Sequence, residues 1–162
     1  MVIDYNYSMI INRQNLSDKK ETAEKMYYLV NRYFRDLSKF KTKKNGKIVP
    51  VTELNIIEFF DLVRSIPYRK DVKPIEVVSR PKYILKFRKS GADCKKKGIL
   101  MGAYLKYNNL PYRFMSSSRK PSGRIHHVFP QIFINGKWKN LDATYSHYKP
   151  FQKKIVTNSE VL

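Results

Sequence analysis

Four side chains in this sequence are of types that could do nucleophilic chemistry together: Cys94, the adjacent His126 and His127, and Asp142. A cysteine nucleophile needs a base, and the base needs an orienting carboxylate or amide. The stretch HHVFPQIFINGKWKNLDATY reads as two strands joined by Asn135 and Gly136, a favoured type I′ hairpin turn. With those two residues at the turn, Ile134 pairs with Lys137 and Phe129 with Asp142. Directly paired residues share a sheet face, as do residues two apart along a strand. Asp142 therefore falls on the face of His127 as its diagonal neighbour, about 7–8 Å away between backbones, and His126 points to the other face. Parity selects His127 as the base. A one-residue slip, or a bulge at Pro130, would select His126 instead.

Cys94 is the only cysteine and stands in GADCKKKGILMGAYL, where a helix is expected from Cys94 to about Tyr107. Gly98 and Gly102 weaken that helix, while Leu100, Ala103, Tyr104 and Tyr107 form an apolar stripe. Lys95, Lys96 and Lys97 follow the cysteine at the end of a helix that suits cations least. Lys82, Lys86, Arg88 and Lys89 precede it, and Arg119, Lys120 and Arg124 precede the histidines. The functional reading is that these cations lower the thiol pKa and attract an acidic acyl donor, with Lys95, Lys96, Lys97 and Arg124 as substrate-binding candidates. The bland reading is that the three lysines point into solvent. On either, changing all three to Gln leaves folding stability unchanged or slightly improved, because it removes cations from a helix start.

These residues need a scaffold, and the chain is long enough to supply one. Its 162 residues suggest a single domain, with 42% hydrophobic and 14% aromatic residues favouring a globular fold. No stretch approaches the roughly 18 apolar residues of a membrane span, and residues 1–11 lack a signal-peptide pattern. A lone cysteine forms no internal disulfide, so synthesis in the cytoplasm is the default expectation. Lys and Arg total 33 against 13 Asp and Glu, a formal charge of +20. That excess suits nucleic acid, an anionic surface or an acidic partner, without assigning a function by itself.

Along the chain, Ser17 is the expected cap of a first helix carrying Ala23, Met26, Tyr27, Val30, Phe34 and Leu37. KFKTKKNGK reads as a basic exposed turn, and Thr52 as the cap of a second helix that ends near Ile66, before Pro67. Residues 69–93 read as loop with an apolar patch at 83–85, and SSSRKPSGR as a polar segment. Helices first and strands later imply an α+β domain. Its expected parts are a basic helical extension over 1–50, a core over 51–150 and a tail over 151–162.

GADC before a helix, HVF opening a strand, LPYRF after the helix and NGKWKNLDAT together resemble the transglutaminase-like cysteine peptidase superfamily. The resemblance covers roughly residues 55–145, with its motifs in the family's order. It implies a papain-like α+β fold in which a cysteine at a helix N-terminus faces an antiparallel sheet. It also implies Cys94 as nucleophile, His127 as general base and acid, Asp142 as the orienting group and Trp138 as core packing near the triad. Ala92 between Gly91 and Asp93, Ala143 in place of the family's proline, and Pro130 in the first strand depart from its pattern. Small members encoded by bacteriophages make a virion component one expectation.

The chemistry so implied is thiol-dependent acyl transfer or hydrolysis at an amide, on a peptide or protein that is acidic, without metal or cofactor. The Cys94 backbone N–H is the first candidate for holding the oxyanion; a second donor is not readable from sequence. Nothing marks an amine-acceptor site or calcium cluster, and the paired cysteines that accompany peptide N-glycanase activity are absent. Arylamine acetyl transfer resembles the motifs less well. The rival from another class is a basic protein that keeps the fold without turnover, as a binder of nucleic acid or an envelope or as part of a larger assembly.

Overall fold

The computed structural model describes residues 8–12, 18–72 and 75–162, with side chains over 20–72 and 77–162. In chain order its elements begin with β1 (Ser8–Asn12) and α1 (Asp18–Tyr33), which runs into a 3-10 helix (Phe34–Lys39). A hairpin of β2 (Lys41–Lys44) and β3 (Lys47–Pro50) follows, then α2 (Ile56–Ser65), β4 (Ile75–Ser79) and the short α3 (Pro81–Lys86). The second half holds α4 (Cys94–Tyr107), β5 (Tyr112–Ser118), β6 (His127–Ile134), β7 (Lys137–Asn140) and β8 (Asn158–Val161). The architecture is α+β: α4 packs on an antiparallel sheet of order β7-β6-β5-β8, while β1 pairs with β4 and β2 with β3.

The two glycines of α4 explain how it becomes central. A Cβ on Gly98 would meet Met26 of α1 at 3.2 Å, and one on Gly102 would meet Phe114 of β5 at 3.0 Å and Val30 of α1 at 3.2 Å. Missing side chains let α1 and the sheet close on the helix from two sides. What the helix loses in propensity it regains in packing. Ile99, Leu100, Met101, Ala103 and Leu105 are fully buried there, with Met26, Val30, Phe59, Phe60 and Phe114 around them.

Several sequence expectations change at this level. Ser17 lies outside the described residues. The second helix is capped by Asn55, not Thr52: Asn55 Oδ1 accepts from the N–H groups of Ile57 and Glu58, and Glu58 accepts the Asn55 N–H in return. Val51–Glu53 instead forms a separate 3-10 turn. The basic segment after α1 is a true hairpin, turned by Asn45 and Gly46 in left-handed conformations. Residues 69–93 hold β4 and α3 rather than loop alone, and Ser116, Ser117 and Ser118 are buried strand residues. Helix α1 is part of the main core, and residues 151–162 add β8 to the central sheet instead of trailing from it.

Candidate active site

Cys94 is the first residue of α4, partly exposed, and Asp93 caps the helix by accepting the Lys96 N–H at 3.1 Å. The first N–H groups of a helix have no intrahelical acceptor and carry its positive dipole end, so this position suits an anion. His127 opens β6, and its Nε2 lies 2.6 Å from Asp142 Oδ2. Asp142 Oδ1 accepts the Thr144 N–H at 3.1 Å, which fixes the carboxylate beyond the end of β7. The Cys94 thiol lies close enough to the same imidazole to raise its pKa. Since Nε2 is committed to Asp142, Nδ1 is the nitrogen left for the thiol.

The hairpin register behind this arrangement matches parity: Ile134 pairs with Lys137 and Gln131 with Asn140. Asn135 and Gly136 both have positive φ, as a type I′ turn requires. Pro130 causes no bulge, because it pairs in register with Phe114 and its carbonyl accepts the Leu141 N–H at 2.9 Å. Its polar backbone edge faces the chain just after β7, so the missing proline N–H falls outside the ladder. His126 is exposed, with Nδ1 3.2 Å from the Arg124 carbonyl oxygen.

Burial disfavours the charged imidazole, but its hydrogen bond to Asp142 and the neighbouring Cys94 outweigh it and raise His127 to about 9. Burial likewise pushes Asp142 up, and the His127 hydrogen bond with the charges of His127 and Lys154 brings it down to about 2. The folded chain thus keeps the His127 proton up to about 9, while the unfolded chain releases it near 6.5. The stability this proton contributes is complete below about 6.5 and is lost as pH rises through about 9. An NMR titration is expected to find the His127 midpoint near 9. Asp142→Asn should lower that midpoint by removing its main cause.

The lysines after Cys94 are not a solvated face: each is held by groups of the chain itself. Lys95 is 4% exposed, with Nζ on Asp93 Oδ2 and 3.3 Å from Asp71 Oδ2. Lys96 Nζ lies 2.6 Å from Asp71 Oδ1. Lys97 is 2% exposed and donates to the Thr144 carbonyl at 2.9 Å; burial lowers its pKa to about 8. Two of the three cations therefore neutralise the buried capping carboxylate and Asp71, and the third braces the loop after β7. Of the four substrate-binding candidates only Arg124 is exposed. Trp138 also departs from expectation: it is exposed near the hairpin turn, against Phe133 at 5.2 Å and under Arg113 at 4.3 Å, not packed by the triad.

Two residues not singled out in the sequence join the site. Lys154 forms an ion pair with Asp142 Oδ2, its Nζ 4.1 Å from the centre of the Tyr148 ring and 4.8 Å from that of Phe129, and it is within electrostatic reach of Cys94. Tyr68 is brought beside Cys94 by backbone pairing: the Arg69 N–H donates to the Ala92 carbonyl at 3.2 Å, and the Ala92 N–H to the Pro67 carbonyl at 2.9 Å. Gly91, at φ +89°, permits this approach, since a Cβ there would lie 2.7 Å from Arg69 Cβ. The Tyr68 ring packs against Tyr145, their centres 4.9 Å apart. Burial, with Tyr145 and Cys94 nearby, pushes Tyr68 up and keeps it a neutral donor. Spacing offers a signal for neither residue.

Among the described residues, no three of His, Cys, Asp and Glu converge as metal ligands would, and no helix is long and apolar enough to cross a membrane. No protein-family model and no curated protein sequence matches the chain. Among solved structures, it is similar to a candidate cysteine protease from Cytophaga hutchinsonii, with 10% sequence identity and a TM-score of 0.46. That match covers 94% of this chain and 54% of the other, so this chain spans about half the length of that protein.

Proposed function

We propose that the chain is a transglutaminase-like cysteine peptidase or amidase acting through Cys94, His127 and Asp142. The observation that carries this reading is a single imidazole hydrogen-bonded to a buried carboxylate and neighboured by a thiol at a helix start. In the ion pair, the His127 imidazolium and the helix N-terminus stabilise the Cys94 thiolate. The thiolate attacks an amide carbonyl, and the C–O electron pair becomes an oxyanion held by the Cys94 N–H and the Tyr68 hydroxyl. Collapse breaks the C–N bond; His127 gives its proton to the departing amine, leaving a thioester on Cys94. Water then loses a proton to His127 as it attacks the thioester, and the acid product departs with the thiolate restored.

The reading is tested by incubating the protein with a mixed-sequence peptide library and analysing products by mass spectrometry. Cleaved products with the unchanged protein and none with Cys94→Ala support it; the same products from both overturn it. Tyr68→Phe is expected to lower kcat by roughly a hundredfold with little change in KM, because its hydroxyl acts on the developing oxyanion and not on the ground state.

The charge favours a second reading. Lys41, Lys43 and Lys47 are exposed on the β2–β3 hairpin and suit an anionic polymer or surface. Salt-sensitive binding to nucleic acid that persists in Cys94→Ala would support it, whether or not turnover is also found.

A further inference from the structure

A shallow pocket opens next to the triad, with Asp142 and Tyr148 as its floor and Arg119, Lys149, Gln152 and Lys154 around them. Its charge is unbalanced. Asp142 is already shared by His127 and Lys154. Among the described residues neither Arg119 nor Lys149 pairs with a carboxylate, and both are exposed. Arg119 nevertheless stands over the Tyr148 ring at 5.6 Å, the same ring that Lys154 meets at 4.1 Å. The Lys149 N–H is tied to Gln152 Oε1 at 2.9 Å, which fixes the loop that carries it. Like charges gathered at one aromatic floor repel one another unless an anion joins them. An arginine with free donors beside a lysine suits a carboxylate in particular.

We infer that this pocket is a subsite for a substrate carboxylate on the leaving-group side of the scissile bond. The inference rests on the peptidase reading. The pocket borders Asp142, across the imidazole from the Cys94 thiol, and the imidazole is the group that hands its proton to the leaving amine. Chain beyond the scissile nitrogen therefore passes His127 toward Arg119 and Lys149. The carboxylate comes either from an Asp or Glu side chain or from the free C-terminus of a short leaving peptide. Discrimination against an amide at this place follows from leaving the two cations unpaired.

The test uses two mixed-sequence quenched-fluorescent peptide libraries, one with Asp and Glu in its C-terminal half and the other with Asn and Gln there. Each is made with a free and with an amidated C-terminus. Peptides that carry the recognised carboxylate are expected to be cleaved about tenfold faster or more than those that lack it, the scale of a hydrogen bond to a charged group. Arg119→Gln/Lys149→Gln should bring that ratio close to one. Lys41→Gln/Lys43→Gln removes the same charge from the exposed hairpin and should leave the ratio in place. A preference for the acidic library that holds in the amidated peptides identifies a side-chain carboxylate, and faster cleavage of the free than of the amidated peptides in both libraries identifies the terminus. No preference of either kind, or one lowered equally by both double variants, overturns the subsite. If neither library is cleaved, the peptidase reading fails, and fluorescence anisotropy of the labelled acidic peptides on Cys94→Ala protein decides the subsite alone. Binding weakened by the Arg119/Lys149 changes and not by the hairpin changes supports it; equal binding overturns it.

Discussion

His127→Ala is expected to lower peptide turnover by roughly 10²–10⁴-fold, the usual worth of a positioned acid–base group, while His126→Ala leaves most of it. The contrast follows from one register. His127 reaches Asp142, two residues past the end of β7, at 2.6 Å, whereas the exposed His126 ring meets the Arg124 carbonyl. A slip of one residue would exchange their roles, so the pair of variants also measures the register in solution. Single-turnover assays with quenched-fluorescent peptides check it. Equal loss in both variants, or loss only in His126→Ala, removes His127 from the mechanism. Asp142→Asn is expected to impair both turnover and folding, because Asp142 is the partner of Lys154 as well as of His127.

The second large effect is on stability. Changing Lys95, Lys96 and Lys97 together to Gln is expected to destabilise the fold by several kcal/mol, since stranding one member of a buried ion pair costs roughly 3–5 kcal/mol. This reverses what a helix-dipole estimate predicts from sequence alone. That estimate counts a few tenths of a kcal/mol per cation and treats the lysines as surface groups. Here the change strands the carboxylates of Asp93 and Asp71 and removes the brace on Thr144. Urea unfolding of the triple variant checks it, and a midpoint unchanged or raised would contradict the buried ion-pair arrangement. Restoring Lys95 alone should recover more stability than restoring Lys97 alone, because Lys95 reaches both carboxylates.

What could be read from the chain was whatever local rules govern. The bounds of α4 follow from its apolar stripe, which the helix Cys94–Tyr107 reproduces. The β6–β7 register follows from a turn that only Asn135 and Gly136 satisfy, and through it the choice of His127 over His126. What could not be read depends on residues far apart in sequence. Lys96 meets an aspartate 25 positions earlier, so its burial has no local signature. Gly98 and Gly102 look like weak points until α1 and β5 are seen against them. Lys154 reaches Asp142 only because the chain returns to add β8, and Tyr68 reaches Cys94 only through the close approach that Gly91 allows. Trp138 shares a face with Asp142, but it sits at the turn end of the hairpin, where that face is open to solvent.

The central claim is that the folded site makes Cys94 a nucleophile toward carbonyl-like electrophiles. The most direct test is intact-mass spectrometry after brief exposure to a mixed-sequence peptide vinyl sulfone. A single adduct on Cys94 is expected in the native protein, with labelling strongly reduced both in His127→Ala and in urea-unfolded protein. Labelling that appears only after unfolding, or that proceeds equally without His127, would contradict it.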